Sequence, residues 1–461
     1  MTRTRSEEVA RFAVELREAN VPVGVRAKAE RHILDTLACG LAGACSAEGA
    51  GLLDVVLDTE PPGAAPVWGT DRAVAARSAA LVNGTACHAF ELDDTGGCDH
   101  SGAVVLPAAI AALGLSDRPV SGSELLISVI LGYDVARRVL EACGAYRPHN
   151  EAGWHSTATC GTFGAAIAAA RILRLDAERT ASALGHAASF SGGLWAFIHD
   201  GAQTKRVHAG RAAEGGLLAA LMARNGLKGP AQVFEDVWGG FLRTFAPGSA
   251  VPDALLEGLG ASWRLERVAI KPYASCRGTH AAIDATLHLF ERHDLTADRV
   301  RAVRVRAPAF LDGMCGGREV SSLPGAQMSL PFALASAMAH GHVDLAAFGE
   351  KERGDARLRS LMAKVELTVD PALGGSDEPF IELDTVDGQS FAHRVTDPLG
   401  SPTNPVGEAQ HEAKVRRLAG MVLAEEAVDR LVLAIEILQR TPDIRNLPEL
   451  LVGAGRPAPF A

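Results

Sequence analysis

The sequence predicts a mainly α protein: a large all-α helical domain with an inserted smaller α+β domain. Three observations carry that expectation. Apolar residues recur at three-to-four spacing through most of the first 262 residues. Alternating, strand-type patterns are concentrated between residues 301 and 395. Helical periodicity resumes beyond the Pro- and Gly-rich loop Asp397-Pro-Leu-Gly-Ser-Pro-Thr-Asn-Pro405.

In the first region the spacing predicts helices over 24–44, 75–90, 103–114, 122–143, 161–174, 177–190 and 207–226. Asp176 stands where an N-cap belongs, and Asn225-Gly226 where a helix stops. Small residues at Gly164, Ala165, Ala168, Gly210, Ala213 and Gly216 suit helices that cross at short distance. Beyond residue 267, Arg301–Ala307, Lys364–Val369 and two runs flanking Asp387-Gly388 read as antiparallel strands. Helices are expected at 278–292, 331–340 and 352–363 among them. The last helices, over about 407–439, are too few for a domain of their own. The expected division is therefore 1–266 and 401–461 as one helical domain, with 267–400 inserted.

Bulk composition narrows the function. The chain has 461 residues, 48% hydrophobic and 22% charged, ordinary proportions for a globular protein with a large core. A net charge of −10 argues against nucleic-acid or anionic-membrane partners, which need an extended basic surface. A small anion would need only a local cluster of cations. No apolar run approaches the roughly 20 residues of a membrane span, and the start reads as an amphipathic helix without a signal-peptide core, so the cytoplasm is the expected location. The eight cysteines form no CxxC pair, which removes support for zinc-ribbon or ferredoxin spacing, and they are expected to be reduced and buried.

Four segments hold groups able to do chemistry beside a carboxylate, which needs a base, an acid and cations. Glu91-Leu-Asp93-Asp94 places three acids after a helix end, where like charges repel and disfavour the dipole, and His100 follows. Gly153-Trp-His155 leads into a small-residue helix whose free N–H groups favour an anion. Lys205 and Arg206, with His208, open another helix against its dipole, and a desolvated Lys205 would qualify as a base. Lys271, Tyr273, Cys276, Arg277 and His280 cluster where the helical region gives way to α+β. Arg suits two-point carboxylate binding there, whereas no partner that would activate Cys276 is indicated.

Taken in order, these segments resemble the MmgE/PrpD family from about residue 6 to 440. The resemblance is carried by His32-Ile-Leu-Asp-Thr-Leu-Ala-Cys-Gly, Glu91-Leu-Asp-Asp, His100-Ser-Gly-Ala, Gly132-Tyr-Asp, Gly153-Trp-His155, Lys205 with His208-Ala-Gly, Lys271-Pro-Tyr with His280, and Ser401-Pro-Thr-Asn-Pro405. It implies a helical domain, an α+β lid near 267–400, a homodimer, and an interdomain cleft that works without metal or organic cofactor. The family's activities are dehydration of 2-methylcitrate, decarboxylation of cis-aconitate and epimerisation of iminodisuccinate. The resemblance puts the active-site acid at Glu91 or Asp93, histidines at His100, His155 and His280, and the lysine at Lys205. Two positions depart from it: Glu91 stands where Asp is frequent, and Phe332 where Tyr is frequent, removing a hydroxyl.

The resulting expectation is an enzyme acting on a small di- or tricarboxylate by proton abstraction next to a carboxylate, with 2-methylcitrate dehydration first. Decarboxylation or epimerisation comes second, and a catalytically silent carboxylate-binding protein is the alternative of another class. Lys271, Arg277, Tyr273 and His208 are expected to hold substrate. Lys205 or His155 is expected to move the proton, and Asp93 to set the protonation of His100.

Overall fold

The structure, a computed structural model, describes residues 3–460. The chain is mainly α. A capping box formed by Thr4 and Glu7 starts the Arg5–Glu15 helix. The helices Val23–Gly43, Ala76–His88, Ser101–Leu113, Gly122–Ala142, Gly161–Ile172, Ala177–Phe190 and Thr204–Arg224 then pack into one bundle. Asp176 caps the sixth of these, accepting from the Arg179 amide at 2.8 Å. Gly226, with φ +85°, follows the last.

Small residues let these backbones approach. A methyl group at Gly210 would overlap the Leu81 carbonyl and the Thr85 hydroxyl, and one at Gly216 would overlap Ala165. The Thr204–Arg224 helix thus lies directly against Ala76–His88 on one side and Gly161–Ile172 on the other. That contact puts the first turn of one helix beside the last turn of another, Lys205 near His88.

Two cores form. One is built from residues between Val9 and Val268 together with Ala419–Leu451. The other comes chiefly from residues 273–418, joined by Ala38, Cys39, Ala42, Cys45, Phe90 and Leu92. The second contains a four-stranded sheet in the order Val365–Val369, Val300–Ala307, Phe380–Thr385, Ser390–His393. The last two strands form the expected hairpin, with Gly388 at φ +86°.

The structure corrects some expected elements. Val365–Val369 pairs with Val300–Ala307 in parallel, not antiparallel, because helices carry the intervening chain back to the starting end of the sheet. The helix expected over 352–363 breaks at Asp355, whose extended backbone ends one helix while its carboxylate caps the next at the Arg357 amide. An Ala47–Thr59 helix, whose two glycines obscured the pattern, was not expected. Nor was the small pairing of Ala65–Pro66 with Ala73–Val74. All eight cysteines are free and buried. Among the described residues no single helix is long and apolar enough to cross a membrane.

Candidate active site

The segment 89–100 leaves the end of the Ala76–His88 helix and turns sharply twice. Glu91 has φ +54° and Asp99 φ +100°, conformations that cost energy for residues with a Cβ. The segment is held from both sides. The amides and carbonyls of Thr95 and Ala269 exchange hydrogen bonds of 3.0 and 2.8 Å. Lys414, from the Glu408–Ala419 helix, donates to the Leu92 carbonyl at 2.7 Å while paired with Asp35. The two strained acids are therefore fixed by distant parts of the chain.

Glu91 is the centre of a buried charge cluster. Its Oε1 takes the Lys205 ammonium and, at 2.8 Å, the Arg206 guanidinium; its Oε2 takes Lys271 Nζ at 2.9 Å. Burial alone would raise the pKa of Glu91, but Lys205, Lys271 and Arg206 together hold it well below the usual carboxylate range. Lys271 is correspondingly raised, against the cost of its own burial, by Glu91 and then Asp93. Three cations around one anion leave excess positive charge, which accounts for two basic residues in a first helical turn despite the dipole.

Asp93 is the second centre. His88 donates Nδ1–H to its carboxylate at 3.0 Å, and His100 Nδ1 lies 3.0 Å from it on the other side. His100 Nδ1 also lies 2.9 Å from the Asp94 carbonyl, and its Nε2 3.5 Å from Asp99. Burial opposes charge on His100, yet Asp93 and then Asp99 outweigh it and raise its pKa. His88 goes the other way: burial, then the neighbouring His100, push it down to about 3. The pair shares one carboxylate, with His88 held neutral and His100 favoured in its protonated form.

His155 stands behind His100. Its Nδ1 is 3.0 Å from His208 Nδ1, its Nε2 has no hydrogen-bond partner, and burial holds it neutral well below the ordinary histidine value. Ligating atoms of Asp99, His100 and His155 lie within 4.8 Å of one another, as do those of His88, Asp93 and His100. Either set has donors of metal-binding type. In the second, both ring nitrogens facing Asp93 already contact it directly.

A cavity of about 460 Å³ opens in front of these groups. Its wall carries five cations, Arg137, Lys205, Arg267, Lys271 and Arg277, against the carboxylates of Glu91, Asp99 and Glu378. His100, Trp195 and Cys276 also line it. The Cys276 thiol is lowered to about 7, through its contact with the Cys315 thiol and then, against burial, by Lys205.

Of the residues singled out in the sequence, the structure brings Glu91, His100, Lys205, Lys271 and Arg277 to this wall, with Asp93, His155 and His208 behind it. His280 and Tyr273 are not on it. The His280 ring nitrogen lies 3.3 Å from the Ser275 carbonyl, and the Tyr273 hydroxyl donates to Asp284. Phe332 is also absent from the wall, fully buried with its ring centroid 5.8 Å from that of Phe348. Sequence reasoning passed over His88, Asp99, Arg137 and Arg267. His88, three residues before Glu91 at a helix end, was within reach of a local reading; the arginines come from helix and turn positions with no local signal.

Fold and site together define a mainly helical protein with a cation-rich cavity beside a histidine whose pKa is raised by neighbouring carboxylates. The sequence matches the MmgE/PrpD N-terminal domain over residues 7–252 and the MmgE/PrpD C-terminal domain over 273–440. The chain belongs to the MmgE/PrpD family, and it is an enzyme of that family. It is 30% identical over 473 residues to a cis-aconitate decarboxylase of Aspergillus terreus, covering 97% of this chain and 95% of the relative. It is 29% identical to the cis-aconitate decarboxylase-like protein oryM of Aspergillus oryzae, covering 97% of each. With the human cis-aconitate decarboxylase it shares 30% identity over 85% of this chain and 82% of that one.

Proposed function

We propose that this enzyme decarboxylates a small unsaturated tricarboxylate of the cis-aconitate type. The observation that carries the reading is His100, a buried imidazole whose protonated form two carboxylates favour and which lines a cavity with surplus positive charge. The relatives' names favour decarboxylation over the dehydration that the sequence alone put first. Decarboxylation asks the site only for proton delivery, whereas dehydration and epimerisation ask for a base to abstract a proton as well.

The step balances as follows. The bond from the substrate's methylene carbon to its carboxylate breaks, releasing carbon dioxide. Its electron pair forms a new double bond to the central carbon, and the old double-bond pair moves to the far carbon, next to the second terminal carboxylate. Lys205 and Lys271 stabilise the charge that develops on that carboxylate. His100 Nε2–H gives its proton to the far carbon, and solvent reprotonates the imidazole. His155, neutral, behind His100 and with a free Nε2, is the group we assign to relay that proton. Asp93 keeps His100 charged and aligned.

The family resemblance supports two further expectations, a lid formed by 267–400 and a homodimer. Arg277, Met314, Ser376 and Glu378 of that segment line one side of the cavity, so a bound tricarboxylate should slow hydrogen exchange there. Light scattering tests the dimer.

The reaction is tested by giving the pure protein cis-aconitate, 2-methylcitrate and iminodisuccinate in deuterated water and following products by NMR. The expected result is carbon dioxide and one deuterium in the product of cis-aconitate. Water loss from 2-methylcitrate without decarboxylation, or deuterium in an unchanged skeleton, would overturn it.

A further inference from the structure

A second concentration of positive charge lies on the cavity wall away from Glu91. Glu141 takes three guanidinium groups: Arg137 Nε at 3.0 Å, Arg264 Nε at 2.8 Å and Arg267 Nη1 at 3.3 Å. Arg264 is used elsewhere, its Nη1 donating to the Ser262 hydroxyl at 2.6 Å, and does not reach the cavity. Arg137 and Arg267 do line it. One carboxylate cannot neutralise all three, and the two wall arginines repel one another. Burial and then the Arg137 charge lower the pKa of Arg267. An anion set between them would relieve that repulsion.

Spacing fits the same reading. Arg267 ends the Arg264–Arg267 3-10 turn, Val268 is extended and Ala269 is bridged to Thr95, so Arg267 and Lys271 stand four residues apart at either end of a short extended link, both on the cavity wall. Four residues of chain place their Cα atoms at most about 13 Å apart. Both side chains turn toward the cavity. A three-carbon backbone with carboxylates at both ends, plus one hydrogen bond at each end, fills an interval of that order.

Resting on the tricarboxylate reading above, we propose that Arg137 and Arg267 form a distal carboxylate subsite that selects substrates carrying a second terminal carboxylate beyond the one held at Lys271. Arg137 is the fixed member, buried and anchored to the Gly97 carbonyl at 3.2 Å. Arg267 is the half-exposed member that closes on the ligand. Recognition is charge-assisted and planar, which suits guanidinium better than ammonium.

The test is calorimetric binding of propane-1,2,3-tricarboxylate, which cannot react, and of butanoate, which has a single carboxylate, to the full chain and to Arg267→Gln. Arg267 is half-exposed, so the variant should fold, and an unchanged thermal transition checks this. The expected result is a loss of about 10- to 100-fold in tricarboxylate affinity, the size of one charge-assisted hydrogen bond, with butanoate binding changed less than about twofold. Equal losses for both ligands, no loss for either, or failure of the unaltered protein to bind the tricarboxylate would each overturn the subsite. Arg267-dependent binding without decarboxylation of cis-aconitate would uphold the subsite and reject the reaction instead.

Discussion

Glu91 and Lys271, 180 residues apart in sequence, meet at 2.9 Å with each side chain about 1% exposed. A pair so buried is fixed in place only because Lys205 and Arg206 share the same carboxylate and because Thr95 and Ala269 tie the two segments together.

Removing the carboxylate should therefore cost more than one ion pair. Glu91→Ala leaves three buried cations without their anion, and a loss of about 3–5 kcal/mol is expected, read as a lower denaturant midpoint. Glu91→Asp keeps the charge and places a residue tolerant of positive φ at that position. It should lose clearly less. Equal losses for the two would show that charge is not what the site needs from Glu91.

Activity should depend on the acid form of His100. Because Asp93 and Asp99 raise its pKa, the proton stays on above the ordinary value of 6.5, and kcat/KM should fall as pH rises through the raised value. Asp93→Asn removes the larger of the two raising influences and should move that limb to lower pH. A basic limb that stays put in the variant would mean that Asp93 does not tune this group.

Neither His155 nor His280 lines the cavity, but His155 has a ring nitrogen within 4.8 Å of one on His100, whereas His280 faces the Ser275 carbonyl. His155→Ala removes a neutral imidazole with a free Nε2 beside His100 and should cut turnover roughly a hundredfold. His280→Ala, off the cavity wall, should chiefly lower thermal stability while leaving substrate affinity near that of the unaltered protein. Comparing kcat, KM and melting temperature in both variants distinguishes the two roles.

Two glycines test the packing that brings the helices together. Gly210→Ala pushes a methyl group into the Leu81 carbonyl and should destabilise by about 1–3 kcal/mol. Gly51→Ala, exposed within a helix and with open space around it, should stabilise by about 0.5–1 kcal/mol. Chemical denaturation of both variants measures the contrast.

Much of the bundle was legible because its helices are amphipathic or small-faced over many turns, and Asp176 and Gly226 mark ends by local chemistry. The parallel pairing of Val365–Val369 was not, since direction depends on how the intervening helices return the chain. In the site, Glu91, His100 and Lys205 stood out because charges at helix ends and before apolar runs are costly, and Lys271 because it clusters with Arg277 and His280 where the helical region gives way to α+β. Arg137 and Arg267 carried no such mark. Arg137 sits at an ordinary position of a helix, four residues before Glu141, where a salt bridge is explanation enough. Its place on the cavity wall follows only from the fold.

The most direct measurement is a crystal structure with propane-1,2,3-tricarboxylate bound. One carboxylate should lie within about 3.2 Å of Lys205 or Lys271 Nζ, and a terminal methylene carbon should lie about 3–3.5 Å from His100 Nε2. A tricarboxylate seated away from Glu91, or turned so that no carbon faces His100, would contradict the proposed reaction centre.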